Sequence, residues 1–397
     1  MGVRRRAAFA WIAGLVAAFA CSSYGEDEPP VASPVEDAST DGTSIDAPDG
    51  GSEASTQPRC VPQSLEPPPP DDPKCGTNTA FDLSSSDAHC GRCNHSCLGT
   101  GCVAGRCRIV DVGPLLSYDN GGGPTFVPLP LPDIHFGDAL AVKRLAGDNA
   151  SVIGDLVDAG NNVRRMSSLH SDGTDIVFTI AASGVFSVPV MGGPVTAVQR
   201  GVDAAHAVIA KGHVYFTEND GIHVSAPFGS SVFAPEERRP GGLATDGERI
   251  YWVTAAFEGT TLLKTSPAGT VATVQVQTLS TNAEGLFVDD GFLYWFGRTG
   301  NLNGAIFRSA VTGGDAPAAI ASFPLGLETQ LRALVVDATH VYWAMSPEGK
   351  VETVIYKAPK CGGPTTTIAG DLMPDQGMTF DDQFLYFAGE RIRRLAK

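Results

Sequence analysis

The sequence predicts an all-β fold built from a repeated unit of four strands, and three observations carry that prediction. First, between His170 and Phe387 a short phrase occurs six times: turn residues opened by an aspartate, then an aliphatic residue, usually a tyrosine, and a large aromatic. Its cores are Ile176-Val177-Phe178, Val214-Tyr215-Phe216, Ile250-Tyr251-Trp252, Leu293-Tyr294-Trp295, Val341-Tyr342-Trp343 and Leu385-Tyr386-Phe387. Second, their aromatics stand 36 to 48 positions apart. Third, the runs are β-branched and aromatic with no helical spacing. A period of about 40 to 45 residues of this kind is one four-stranded blade of a β-propeller.

The aspartate recurs six residues before the aromatic as Asp172, Asp246, Asp289, Asp337 and Asp381, and only the second unit departs, with Ala210. These carboxylates precede turn sequences such as Gly-Thr and Asp-Gly. An aspartate there accepts bonds from the backbone just ahead of it, so each is expected in a hairpin joining the first and second strands. The third and fourth strands follow. They are clearest in Val185 to Val190 and Ile355 to Lys360, each running into a Gly-Gly turn and a polar outer strand.

The last unit stops early. Arg391 to Lys397 can form a third strand, but no outer strand follows it. The stretch from Ala139 to Gly154 reads as strand, turn and strand without partners before it, and is the candidate for completing the ring, which would remove an exposed edge. Six blades closed by this N-terminal segment are the favoured count. Seven follow if Ile109 to Phe136 folds as two further strands, although its Gly-Gly-Gly and alternating prolines suggest an irregular connection.

Upstream the composition changes three times. Met1 to Ala20 reads as an export signal, with Arg4, Arg5 and Arg6, an apolar run from Ala7, and Ala18-Phe19-Ala20 as the cleavage site. The run is shorter than the roughly 20 residues of a spanning helix. From Ser22 to Pro58 there are nine acidic residues and no basic one, a composition that forms no core and is expected to act as an extended tether. Cysteines then cluster at Cys60, Cys75, Cys90, Cys93, Cys97, Cys102 and Cys107, and the exported context favours disulfides. A zinc site can be drawn from Cys90, Cys93, His89 or His95, but a second C-x2-C half is missing. The boundaries are 1–20 signal, 21–59 tether, 60–108 cysteine-rich module, 109–138 connection and 139–397 propeller.

Two resemblances follow from these residues. Cys21, directly after the cleavage point and followed by Ser22 and Ser23, resembles the lipid-modified first residue of bacterial lipoproteins, although Ala18 and Phe19 depart from the usual box. The alternative is ordinary cleavage to a soluble secreted protein. The run from Cys90 to Cys107 matches C-G-x-C-x3-C-x4-C-x2-G-x-C and resembles stigma-specific-protein-like repeats, similar to those joined to propeller-like domains in bacterial surface proteins. The first resemblance implies a lipid anchor in the outer membrane or at the cell surface. With Cys21 lipidated, eight cysteines remain, and complete pairing takes one of the seven in the cluster to Cys361, pinning the module to the propeller.

A net charge of -16 argues against nucleic acid as a partner. Propellers bind at the end of the channel where the inner strands start, and His206, Glu284, Arg332, Asp375 and Gln376 fall in or beside that register as a polar set, with Asn282 nearby. Glu284 and Arg332, on neighbouring units, are expected to pair. The sequence has no nucleophile elbow, phosphate loop or H-E-x-x-H motif, and no cofactor is expected. The favoured function is recognition of a protein or glycan at a cell surface. The alternative is a lactonase-like hydrolase or lyase with a metal at the channel mouth.

Overall fold

The computed structural model describes Cys75 and, apart from several connecting segments, residues 80–397, all within one compact unit, Pro58–Lys397. The expected signal and tether, with Cys21 and Cys60, lie outside the described residues. Among those described, no helix is long and apolar enough to cross a membrane.

The cysteine-rich module is a knot around one short hairpin, β1 (Cys102–Val103) and β2 (Arg106–Cys107). Disulfides join Cys75 to Cys93, Cys90 to Cys102 and Cys97 to Cys107. The sulfurs considered for zinc are therefore taken up in bridges. Both glycines of the motif are required by geometry. Gly91 and Gly105 have φ of 71° and 74°, and a Cβ on Gly91 would lie 2.3 Å from the Gly105 carbonyl oxygen. Asp87 ties the knot from within, its carboxylate accepting from the amides of Gly99 and Gly101 at 3.0 Å each. Cys361 is disulfide-bonded too.

Seven four-stranded antiparallel sheets follow, where six were favoured. The closing strand is β3 (Val110–Leu115). Blade 1 is β4 (Thr125–Phe126), β5 (Ile134–Gly137), β6 (Ala141–Ala146) and β7 (Asn149–Asp155). Blade 2 is β8 (Met166–Ser171), β9 (Asp175–Ile180), β10 (Gly184–Pro189) and β11 (Thr196–Arg200). Blade 3 is β12 (Ala207–Ala210), β13 (His213–Glu218), β14 (Gly221–Ala226) and β15 (Gly229–Pro235). Blade 4 is β16 (Gly242–Thr245), β17 (Arg249–Ala255), β18 (Thr261–Pro267) and β19 (Gln275–Leu279). Blade 5 is β20 (Glu284–Asp289), β21 (Phe292–Arg298), β22 (Asn303–Ala310) and β23 (Ala318–Pro324). Blade 6 is β24 (Gln330–Val336), β25 (His340–Ser346), β26 (Thr353–Pro359) and β27 (Thr366–Leu372). Blade 7 is β28 (Met378–Phe380), β29 (Phe384–Ala388) and β30 (Arg391–Ala396), completed by β3.

The first strands β4, β8, β12, β16, β20, β24 and β28 each neighbour the next, and β28 neighbours β4, so they line a closed ring. Two expectations are corrected here. The hairpin from Ala139 to Gly154 does not close the ring; it forms the outer half of an extra blade, with β4 and β5 as its inner half. Closure comes from β3, with Val110 opposite Arg394, Asp111 opposite Arg393 and Val112 opposite Ile392. Residues 109–138 thus carry strands in place of an irregular connection. Closure by β3 buries Val112 and Ile392 against the same core that takes in Cys90, Cys97 and Cys107 of the module.

All six repeated cores fall on second strands, as the repeat predicts. Ile250, Tyr251 and Trp252 are all 0% exposed, because a blade is covered on both faces by its neighbours and the usual alternation disappears. The spacing between aspartate and tyrosine also has a cause. Asp246, Asp337 and Asp381 each accept from two backbone amides of the turn and, on the other oxygen, from the hydroxyl of Tyr251, Tyr342 or Tyr386 at 2.7, 3.1 and 2.7 Å. Burial and the adjacent carboxylate raise all three phenols well above their ordinary range. Where Ala210 replaces the aspartate, Lys211 and Gly212 both take positive φ, 48° and 73°, in a two-residue hairpin turn. The Tyr215 hydroxyl donates instead to the carbonyl of Gly269, at 2.8 Å.

Candidate functional site

The ring has two faces. Inner strands start at the entry face, which also carries the turns between second and third strands; the aspartate turns and the turns before the outer strands lie on the opposite, turn face. At the entry face the structure places His206, Glu284 and Arg332 on blades 3, 5 and 6, while Asp375, Gln376 and Asn282 lie outside the described residues. His206 is half-buried, its backbone tied to Thr217, and burial lowers its imidazole below the ordinary value. Glu284 is exposed and makes no ion pair with Arg332 among the described residues. The Arg332 Nε donates to the Ser346 hydroxyl at 3.0 Å.

Two cavities open at the turn face. One of about 680 Å³ is lined by Asp289, Asp290, Asp337, Asp381 and Asp382, with Lys357, Lys360 and Lys397 and Arg92 from the cysteine module. A second, of about 520 Å³, lies among the turns of blades 2, 4 and 5. Most of these carboxylates are occupied in structure. Asp337 is nearly buried and accepts from the Thr339 and His340 amides, both at 2.8 Å, and from the Lys397 ammonium at 2.8 Å. Burial would raise its carboxyl, but Lys397 and those amides outweigh it and hold it at about 2. Asp289 departs from the repeat. Asp290 and Gly291, at φ of 47° and 75°, make the turn without it, and its carboxylate binds the Lys360 ammonium reaching across from blade 6. The Tyr294 hydroxyl accordingly lies beside Arg308 and not on an aspartate. Nearby, buried His170 is pushed down to about 4 by desolvation, and its Nδ1 accepts from the Ile209 amide at 3.3 Å.

One cluster at the entry face was missed by spacing. Glu218 ends β13, Asp220 sits in the turn and His223 lies on β14 directly opposite Phe216. His223 Nε2 is 2.9 Å from an Asp220 oxygen, and its Nδ1 is 3.6 Å from a Glu218 oxygen. As a sequence, His223 has no partner at strand spacing; the hairpin brings the three together.

No family model and no curated protein matches this sequence. Solved structures do match. The extracellular domain of a hybrid two component system from B. thetaiotaomicron is 10% identical, covering 73% of this chain and 39% of that one at a TM-score of 0.52. BamB from Moraxella catarrhalis is 12% identical, with 73% and 98% covered and a TM-score of 0.44. An oligogalacturonate lyase from Vibrio parahaemolyticus is 11% identical, with 57% and 75% covered and a TM-score of 0.40. At 10% identity the likeness to the first of these is one of fold, and the seven sheets arranged in a ring make this chain a β-propeller preceded by a disulfide-rich module.

Proposed function

We propose that this protein is exported, anchored through a lipid on Cys21, and presents its propeller on an acidic tether for recognition of a protein or glycan partner at the cell surface. The observation that carries the reading is the disulfide knot of Cys75, Cys90, Cys93, Cys97, Cys102 and Cys107. Such bridges persist in oxidising compartments, in line with an N-terminus that reads as an export signal. Recognition is favoured over catalysis because most turn-face carboxylates serve turns and ion pairs.

The test is a glycan and surface-protein binding screen of the full mature chain, with metal analysis of the same sample. The expected result is saturable binding without turnover, weakened at least tenfold by the pair Glu284→Ala and Arg332→Ala, together with release from membranes on Cys21→Ser. Metal-dependent cleavage of a bound sugar or lactone, abolished by Glu284→Ala, would contradict it.

A further inference from the structure

We propose that Glu218, Asp220 and His223 form a binding site for a divalent transition cation of the Zn²⁺ class at the entry face of blade 3. One donor atom from each can be chosen so that all lie within 4.8 Å of one another. Glu218 is two residues from Phe216 on β13, and His223 pairs with Phe216 across the hairpin, so all three side chains share one face of the sheet. The His223 ring stacks on Phe216 with centroids 5.7 Å apart at 25°, which fixes its orientation before any ligand arrives. Asp220 is 69% exposed in the turn and is free to adjust.

A second observation points to a missing cation. The Glu218 side chain is only 22% exposed. Yet among the described residues it accepts no hydrogen bond; the nearer ring nitrogen of His223 stands beyond hydrogen-bond reach at 3.6 Å, and Asp220 brings a second carboxylate close by. An ion between this carboxylate and the ring nitrogen facing it would give both a partner. The donor set selects the metal. One imidazole with two carboxylates suits Zn²⁺ and its neighbours, whereas Ca²⁺ and Mg²⁺ take oxygen ligands. Three protein donors leave a position for water or for a partner's donor. This site uses none of the residues on which the proposed function rests.

The test is calorimetric titration of the full chain, disulfides intact, with Zn²⁺. One equivalent should bind saturably, with affinity reduced more than about tenfold in His223→Ala and in Asp220→Asn, and excess Ca²⁺ should leave the isotherm unchanged. Asp220→Asn alters an exposed turn residue, so its far-UV circular dichroism should match that of the wild type and its loss of binding reports the site itself. Absence of saturable uptake, wild-type affinity in either variant, or displacement by Ca²⁺ would overturn the proposal.

Discussion

Replacing Val112 by aspartate is expected to open the ring. Val112 is 2% exposed and faces Ile392, itself 0% exposed, where β3 completes the last blade. A carboxylate there is buried without a partner, and the destabilisation expected is about 4 kcal/mol or more. For a chain of this size that lowers the thermal midpoint by about 8 °C or more. Loss of β3 also exposes the edge of β30, so trypsin should cut after Arg391, Arg393 and Arg394 in the variant far faster than in the wild type. Val152→Asp is the matched control. Val152 belongs to the hairpin that the sequence nominated for closure, but it is 58% exposed on β7, and its substitution should shift the midpoint by no more than about 1 °C. Equal effects at the two positions would contradict the assignment.

Asp337→Asn is the second large effect. The substitution keeps an acceptor for the turn amides but leaves the Lys397 ammonium, 15% exposed, without its counter-charge. Breaking such a pair is expected to cost about 3 kcal/mol at neutral pH. The carboxyl sits at about 2 when folded, against roughly 3.9 when unfolded. As pH falls the unfolded chain takes up the proton first, so the contribution of Asp337 is full above about pH 4 and is lost as pH falls through the folded value. The amount is roughly 2 to 3 kcal/mol. Denaturant titrations from pH 5 to pH 2 should therefore show a shallower loss of stability in Asp337→Asn than in the wild type. Parallel curves would show that Lys397 does not hold this carboxyl down.

What could be read from the sequence follows from what surrounds each residue. The six second strands were legible because both faces of a blade are buried, leaving unbroken aliphatic and aromatic runs. The aspartate turns were legible too, although the reason tyrosine stands five residues on, as a donor to the same carboxylate, appears only in three dimensions. The seventh blade was legible only as an alternative. Its second strand, Ile134-His135-Phe136-Gly137, places Phe136 in period with Phe178, but histidine replaces tyrosine and prolines at 128, 130 and 132 stand where the aspartate turn belongs. The closing strand was masked in the same way, since Gly113 and Pro114 shift its register against β30 between Val112 and Leu115. At the entry face, Glu218, Asp220 and His223 follow no strand periodicity, because a hairpin reverses direction between them.

The central claim is that β3 pairs with β30 to close seven blades, and an engineered crosslink tests it most directly. Asp111 and Arg393 are opposed, with Asp111 Oδ1 3.2 Å from Arg393 Nε on an accessible face. Cysteines at directly opposed strand positions come within disulfide reach. In Asp111→Cys with Arg393→Cys, non-reducing peptide mapping should recover residues 111 and 393 in one bridged peptide with the native bridges retained. Free thiols at both positions, with the native bridges intact and the chain folded, would contradict the closure.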